Sequence, residues 1–269
     1  VIPLVVLDLD GTVIGSNGQV LPCVWEAADR AREAGVKVAV CTGRPAFGLA
    51  LRIAERLGPD NPHVFQTGAH VGYPDGRIIQ VTALKEADVR ALIATARRRG
   101  AVLELYTPSE LFVERRTDLA ERHAKLLGVN AIVRDLEDVA ASEPVVRAQW
   151  VAPFEGHESL LEGLPDGVSA ATATSPALPG IAFVNMTCAG TSKASAVEQL
   201  AKHLRVPLKD IMAVGDSGND VPMLEIVGHP RVMANAAPSV LARFQHVLPS
   251  VEECGAAEAL DEAIALKLG

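Results

Sequence analysis

The sequence predicts an α/β protein: a Rossmann-like, doubly wound core on a mostly parallel sheet, with an inserted α+β unit. Three observations predict it. Short uninterrupted apolar runs such as Leu4-Val5-Val6-Leu7 have the pattern of strands covered on both faces. These runs alternate with helix-length stretches bounded by Pro and Gly signals. The alternation stops near Thr82, gives way to paired strands, and resumes at Ser192.

Leu4–Leu7 is the first strand. A helix over 22–34 stops at Gly35, and Val36–Cys41 gives a second strand, closing a βαβ unit. Pro45 opens a helix that runs to Leu57, and a strand over 64–66 follows. Residues 72–81 read as a hairpin turning at Pro74-Asp75-Gly76. The insertion is expected to contain a helix over 85–99, strands over 102–106 and 111–114, and a helix over 118–127. A strand over 145–151, a short helix near Leu160 and a hairpin over 168–185 turning at Pro176 to Gly180 complete it. The core returns with a helix over 192–204, strand Ile211–Gly215, a helix from Val221, a short strand over 231–233 and a last helix over 256–268. The expected boundaries are 1–82 and 188–269 for the discontinuous core and 83–187 for the insertion.

Composition narrows the function. A net charge of -8 offers no basic field for a polyanion, and the one dense basic run, Arg97-Arg98-Arg99, ends a helix, where cations suit the macrodipole. No nucleic-acid partner is expected. No apolar run approaches the roughly 18–20 residues of a membrane span, so no membrane partner and a cytoplasmic location are expected. Cys23, Cys41, Cys188 and Cys254 are widely spaced and are expected to be reduced thiols. The oligomeric state is left open.

Four segments fall directly after core strands or at the start of a core helix, where open parallel sheets place their ligands. They are Asp8-Leu9-Asp10-Gly11-Thr12, Thr42-Gly43-Arg44, Lys193, and Gly215-Asp216-Ser217-Gly218-Asn219-Asp220. Asp8, Asp10, Asp216 and Asp220 gathered at one sheet edge repel one another unless a cation neutralises them. Oxygen-only ligands call for a hard ion, and Mg2+ suits carboxylates, waters and a substrate phosphate. Thr42 and the open backbone at Gly43 offer donors to phosphate oxygens, and Lys193 adds a fixed positive charge. Its place near a helix start, the wrong end for a cation, is explained by an anion beside it. With its charge screened this way, a phosphate can be attacked by a carboxylate.

These four motifs, in this order, resemble the haloacid dehalogenase-like superfamily, and within it the Cof-type phosphatases, over essentially the whole chain. The resemblance implies Asp8 as nucleophile and Asp10 as acid/base, with Thr42 and Lys193 on the phosphoryl group. It also implies magnesium on Asp8, Asp216 and the Asp10 backbone carbonyl, with Asn219 and Asp220 as a supporting shell. The substrate class is a small phosphorylated metabolite such as a sugar phosphate, and the insertion corresponds to the family's larger αβ cap. Members of that family often carry Asn-Gly-Ala where this chain has Thr67-Gly68-Ala69, commonly Gly where it has Ala194, and usually Ala where it has Cys41. Two alternatives stay open: phosphotransfer or mutase chemistry through the same intermediate, and a receiver-like module read by a partner.

Other polar residues receive ordinary readings. His70, His123 and His157 lack metal spacing. Arg44 either touches substrate or pairs with a surface carboxylate. Tyr106, Glu110, Glu114 and Arg116 are expected on solvated strand ends, while Trp25 and Trp150 fill apolar space.

Overall fold

A computed structural model of the chain describes residues 2–175 and 178–268. The chain divides into two compact units, one built from Val1–Gly43, Ala50–Gln80 and Ser192–Gly269, the other from Arg44–Leu49 and Val81–Thr191.

The first unit begins with β1 (Leu4–Leu7), α1 (Pro22–Glu33), β2 (Lys37–Val40), α2 (Leu49–Leu57), β3 (His63–Phe65), β4 (His70–Gly72) and β5 (Ile78–Val81). In the second lie α3 (Glu86–Arg99), β6 (Val102–Tyr106), β7 (Leu111–Val113), α4 (Asp118–Leu127), β8 (Ala131–Val133), α5 (Leu136–Ser142), β9 (Arg147–Pro153), β10 (Val168–Ser175) and β11 (Leu178–Cys188). The first resumes with α6 (Lys193–Leu204), β12 (Ile211–Gly215), α7 (Val221–Ile226), β13 (His229–Met233), α8 (Pro238–Leu241), β14 (Val247–Leu248) and α9 (Gly255–Leu268).

The core sheet runs β14-β13-β12-β1-β2, parallel throughout, and a single parallel bridge from Cys41 to Val64 leads on to β3. Its interior strand β1, between β12 and β2, is wholly buried because both faces are covered. Leu4 and Val6 pack with Ala196, Val197 and Leu200 of α6 and Met223 and Leu224 of α7, while α9 packs against α1 and reaches β1, β12 and β13. The second unit carries a six-stranded sheet, β10-β11-β9-β6-β7-β8, antiparallel except at β7–β8. On one face, Leu103, Leu105, Ala148 and Trp150 pack with Leu92 and Ile93 of α3 and Val139 of α5.

The α/β core and mixed-sheet insertion are those the alternation predicts, with local departures. Residues 45–48 do not open α2, because Gly48 takes a positive φ and an added Cβ there would lie within about 3 Å of the Leu127 and Gly128 carbonyls. β8 and α5 were unread, although Asp135 caps α5 by accepting from Glu137 N–H. Leu178–Gly180 belongs to β11 rather than to a turn, and Pro176 lies outside the described residues. Tyr106 is fully buried instead of solvated, and Trp150 is buried as expected.

Two of the four cysteines are not the reduced thiols expected. Cys23, at the start of α1, and Cys254, just before α9, form a disulfide with Cα atoms 6.3 Å apart, leaving Cys41 and Cys188 as the free thiols. A separation of 231 residues hides that proximity, which arises because α1 and α9 pack together. Reduction, or Cys23→Ser, is expected to cost about 2–5 kcal/mol, because the bond restrains a very long loop in the unfolded chain. A urea midpoint unmoved by reductant would contradict this.

Among the buried polar groups, His63 ties α2's end to the sheet. Its Nδ1 accepts from Val40 N–H at 3.0 Å and its Nε2–H donates to Gly58 O at 2.9 Å, which fixes a neutral ring. Burial lowers its pKa to about 4, against the favourable bond to Gly58. Below pH 6.5 the unfolded chain takes a proton that the folded ring refuses until about pH 4. The contribution is therefore complete above 6.5 and shrinks as pH falls, by about 3 kcal/mol in all. Ring nitrogen shifts in NMR should show His63 neutral at pH 5.5, whereas a midpoint near 6.5 would refute the assignment.

Candidate active site

The parallel sheet delivers its chain ends to one edge. Asp8 N–H donates to Val214 O of the neighbouring strand at 2.9 Å, Cys41 N–H to Leu7 O at 2.8 Å, and Thr42 N–H to Val64 O at 2.9 Å. These bonds continue the ladder beyond the strands and fix the start of each loop. The chain then turns sharply, with the N–H groups of Val13 and Ile14 both returning to Leu9 O. Gly11 is required twice over in that turn. Its φ is +83°, and a Cβ would sit 2.3 Å from Asp216 Oδ2.

Lys193 is the first residue of α6, after Ser192, which caps the helix by accepting from Ser195 N–H. Its ammonium is buried and donates to Asp8 Oδ1 and Asp220 Oδ1, both at 2.5 Å. A cation at a helix start is thus held by two carboxylates, as its position in the sequence implied. Burial works against its charge, but Asp220 and Asp8 outweigh burial and hold its pKa above the ordinary value. Asp8 moves the other way. Burial first, then repulsion from Asp220, push its carboxyl well above the usual range, with Lys193 opposing. Two carboxylates sharing one ammonium leave the buried trio with an excess negative charge.

Asp220 is saturated by donors: besides Lys193 on Oδ1, its Oδ2 receives Asp216 N–H at 3.1 Å and Ser217 N–H at 2.9 Å. Ser217 Oγ, with one proton to give, stands 2.7 Å from Asn219 Oδ1 and 2.9 Å from Asp220 Oδ2. Gly215 permits this closure, since a Cβ there would meet Asp220 Cβ at 2.6 Å. Asp216 is half-buried and receives the Thr12 hydroxyl at 3.3 Å, and burial, then Asp220, raise its pKa to about 6.

One ligand oxygen each from Asp8, Asp216 and Asp220 lies within 4.8 Å of the others. Three carboxylates, two with raised pKa values, form an oxygen-only donor set that a hard divalent cation such as Mg2+ fits. Of the three, Asp220 is the one already filled by donors. Asp10 is exposed at the same turn, and its charge adds to the repulsion felt by Asp8 and Asp216. Thr42 is buried and Gly43 half-buried. A Cβ on Gly43 would meet Thr67 Oγ1 at 3.4 Å, an ordinary contact.

All eight residues singled out in the sequence lie in this unit, at these loops. Sequence reading assigned no role to the hydroxyls of Thr12 and Ser217, or to Asn235, whose amide donates to Gly11 O at 2.8 Å. His123 is buried in the second unit, where it meets Glu104 at 2.9 Å and the Phe183 ring.

The chain is similar to known proteins over nearly its whole length. The chain is 26% identical to YxeH of Bacillus subtilis (strain 168), covering 98% of this chain and 99% of that protein. It is 24% identical to the 5-amino-6-(5-phospho-D-ribitylamino)uracil phosphatase YwtE of the same organism, with 97% of each covered. Among solved structures, the phosphatase BT1666 of Bacteroides thetaiotaomicron superposes with a TM-score of 0.81 at 27% identity, over 97% of this chain and 95% of its own. The subclass IIB sugar phosphatase BT4131 shares the fold at a TM-score of 0.80 and 22% identity, covering 96% and 98%. Residues 5–260 match the model of the haloacid dehalogenase-like hydrolases, and the chain belongs to that family.

Proposed function

We propose that the chain is a magnesium-dependent phosphatase that hydrolyses a small phosphomonoester, a sugar phosphate or a similar metabolite, through an aspartyl-phosphate on Asp8. The reaction class, phosphoric monoester hydrolysis, is that of its full-length relatives. The observation that carries the residue assignment is the buried Lys193 ammonium bridging Asp8 and Asp220 beside Asp216.

Asp8, Asp216 and the Asp10 backbone carbonyl would hold the ion. When bound, magnesium supplies the positive charge that offsets the carboxylates and the phosphate dianion. The protein does the rest. Lys193, Thr42 and the Gly43 backbone receive the phosphoryl oxygens and stabilise their charge as it is transferred. An Asp8 oxygen bonds to phosphorus as the bond to the ester oxygen breaks, and the Asp10 carboxyl gives the departing alcohol its proton. Asp10, now ionised, takes a proton from water as the water oxygen displaces Asp8 and releases phosphate.

A screen of phosphorylated metabolites with and without Mg2+ tests the reading. Asp10→Asn is expected to slow phosphate release by about a hundredfold or more while phospho-Asp8 accumulates. Unchanged turnover in that variant would remove Asp10 from the mechanism. Transfer of phosphate to a second hydroxyl in a mixed-substrate incubation would replace hydrolysis with mutase chemistry. Among the described residues no helix is long and apolar enough to cross a membrane. A cytoplasmic location, proposed from sequence, stands against the Cys23–Cys254 bond, which persists best in an oxidising compartment. Thiol trapping in fractionated cells tests it.

A further inference from the structure

We propose that Asn235 is a positioning residue for the nucleophile loop, fixing the Gly11 carbonyl through its side-chain amide; the assignment rests on the phosphatase reading above. Asn235 follows β13 at the same sheet edge as Asp8 and Asp216. Its backbone is set on both sides, by Ala234 N–H on Leu248 O and Ala236 N–H on Met233 O, each at 2.9 Å. Its side chain is used in both directions: Nδ2–H donates to Gly11 O at 2.8 Å, and Oδ1 accepts from Val251 N–H at 2.9 Å. Flipping the amide would set donor against donor and acceptor against acceptor, so the two partners together fix its orientation.

The partner behind Asn235 is firmly anchored. Val251 begins the short 3-10 turn Val251–Glu253, which Ser250 and Glu253 close as a reciprocal cap. Glu252 in that turn accepts from Ser16 N–H at 2.8 Å and Ser16 Oγ at 2.7 Å, gripping the far end of the nucleophile loop. Cys254, the residue that follows the turn, is bonded to Cys23 of α1.

The partner in front is the point where the loop meets the acidic cluster. Gly11 O and Thr12 N share one peptide plane, so holding the carbonyl orients that plane. Thr12 then presents its hydroxyl to Asp216, the same carboxylate that a Cβ on Gly11 would strike. On the other side, the Asp10 carbonyl belongs to the preceding peptide, where the proposed metal would bind. Asn235 is exposed, so hydrogen bonds that trade against water add little to folding. Direction is what they supply. In this arrangement Asn235 acts through Gly11 on the spacing of Asp10 and Asp216.

Asn235→Asp separates this role from simple bracing, because a carboxylate still accepts from Val251 N–H but cannot donate to Gly11 O. Asn235→Ala loses both bonds. Amide hydrogen exchange at residues 12–14 is expected to quicken several-fold in both variants, with melting temperatures close to wild type. With p-nitrophenyl phosphate as probe, kcat is expected to fall about five- to tenfold with KM nearly unchanged, and the half-saturating Mg2+ concentration to rise. The added negative charge of Asp would by itself tighten Mg2+, so weaker binding in Asn235→Asp reports geometry. Wild-type exchange in Asn235→Asp would overturn the proposal, as would quickened exchange with unchanged kcat and Mg2+ dependence. If the wild-type chain hydrolyses no phosphomonoester, the phosphatase reading fails while the exchange result still decides whether Asn235 holds the loop.

Discussion

Asp8→Asn is expected to lower magnesium-dependent hydrolysis by at least about a thousandfold, since an amide cannot form the aspartyl-phosphate on which both half-reactions depend. The same change should leave folding intact, and the charge count explains why. Asp8 and Asp220 share the single Lys193 ammonium in a buried site, and burial and Asp220 already push the Asp8 carboxyl toward its protonated form. Removing the Asp8 charge leaves Lys193 and Asp220 as a balanced pair, with the oxygen of the introduced amide still able to accept from the ammonium. Thermal melting without metal should therefore stay at or above the wild-type value. Turnover within tenfold of wild type would exclude Asp8 as nucleophile. A collapse of melting temperature together with activity would mean that its place in the trio is chiefly structural.

The candidate site's edge was legible because its signals are local. A parallel strand buried on both faces is a continuous apolar run, and the residue after it must emerge at the sheet's C-terminal edge, so Asp8, Thr42 and Asp216 could be placed together from sequence. Lys193 was legible for a different reason: a cation at a helix start contradicts helix electrostatics and calls for a nearby anion. Interactions between distant segments carried no such mark. Cys23 and Cys254 gain their proximity from the packing of α1 on α9, and Asn235 gains its role from a carbonyl 224 residues away.

Tyr106, expected on a solvated strand end, is buried because a second layer covers its face. In β6 the alternation of Leu103 and Leu105 with Glu104 and Tyr106 reads as a half-solvated strand. α4 covers that second face, and Glu104 is wholly buried. It is held by the Tyr106 hydroxyl at 2.7 Å, by Gln149 Nε2 at 2.9 Å and by His123. A polar residue in a strand marks the surface only when no partners lie across from it. Here β9 and α4 supply them, and the cost of burial is offset by hydrogen bonding.

Lys193→Met is expected to damage stability and activity together, the reverse of Asp8→Asn. Without the ammonium, Asp8 and Asp220 face each other across a buried site with like charge. Breaking a buried ion pair from one side costs about 3–5 kcal/mol, or roughly 6–15 °C in melting temperature for a chain of this size. Part of that loss is recoverable by protonation. The Asp8 carboxyl is already raised in the folded state, so it can neutralise at mildly acid pH while the unfolded chain keeps it ionised. The variant's deficit should therefore shrink as pH falls toward the ordinary carboxylate range, because stability from a raised carboxyl pKa grows as the folded form takes up its proton. Mg2+ should likewise stabilise the variant more than the wild type, replacing some of the lost positive charge. The decisive comparison is the double variant Asp8→Asn/Lys193→Met. If the trio is coupled through charge, removing Asp8 as well should restore about 1–3 kcal/mol of stability without restoring turnover. Equal melting of the single and double variants would show instead that the donors on Asp220 suffice to hold the loops, and that the Lys193 charge serves the phosphoryl group alone.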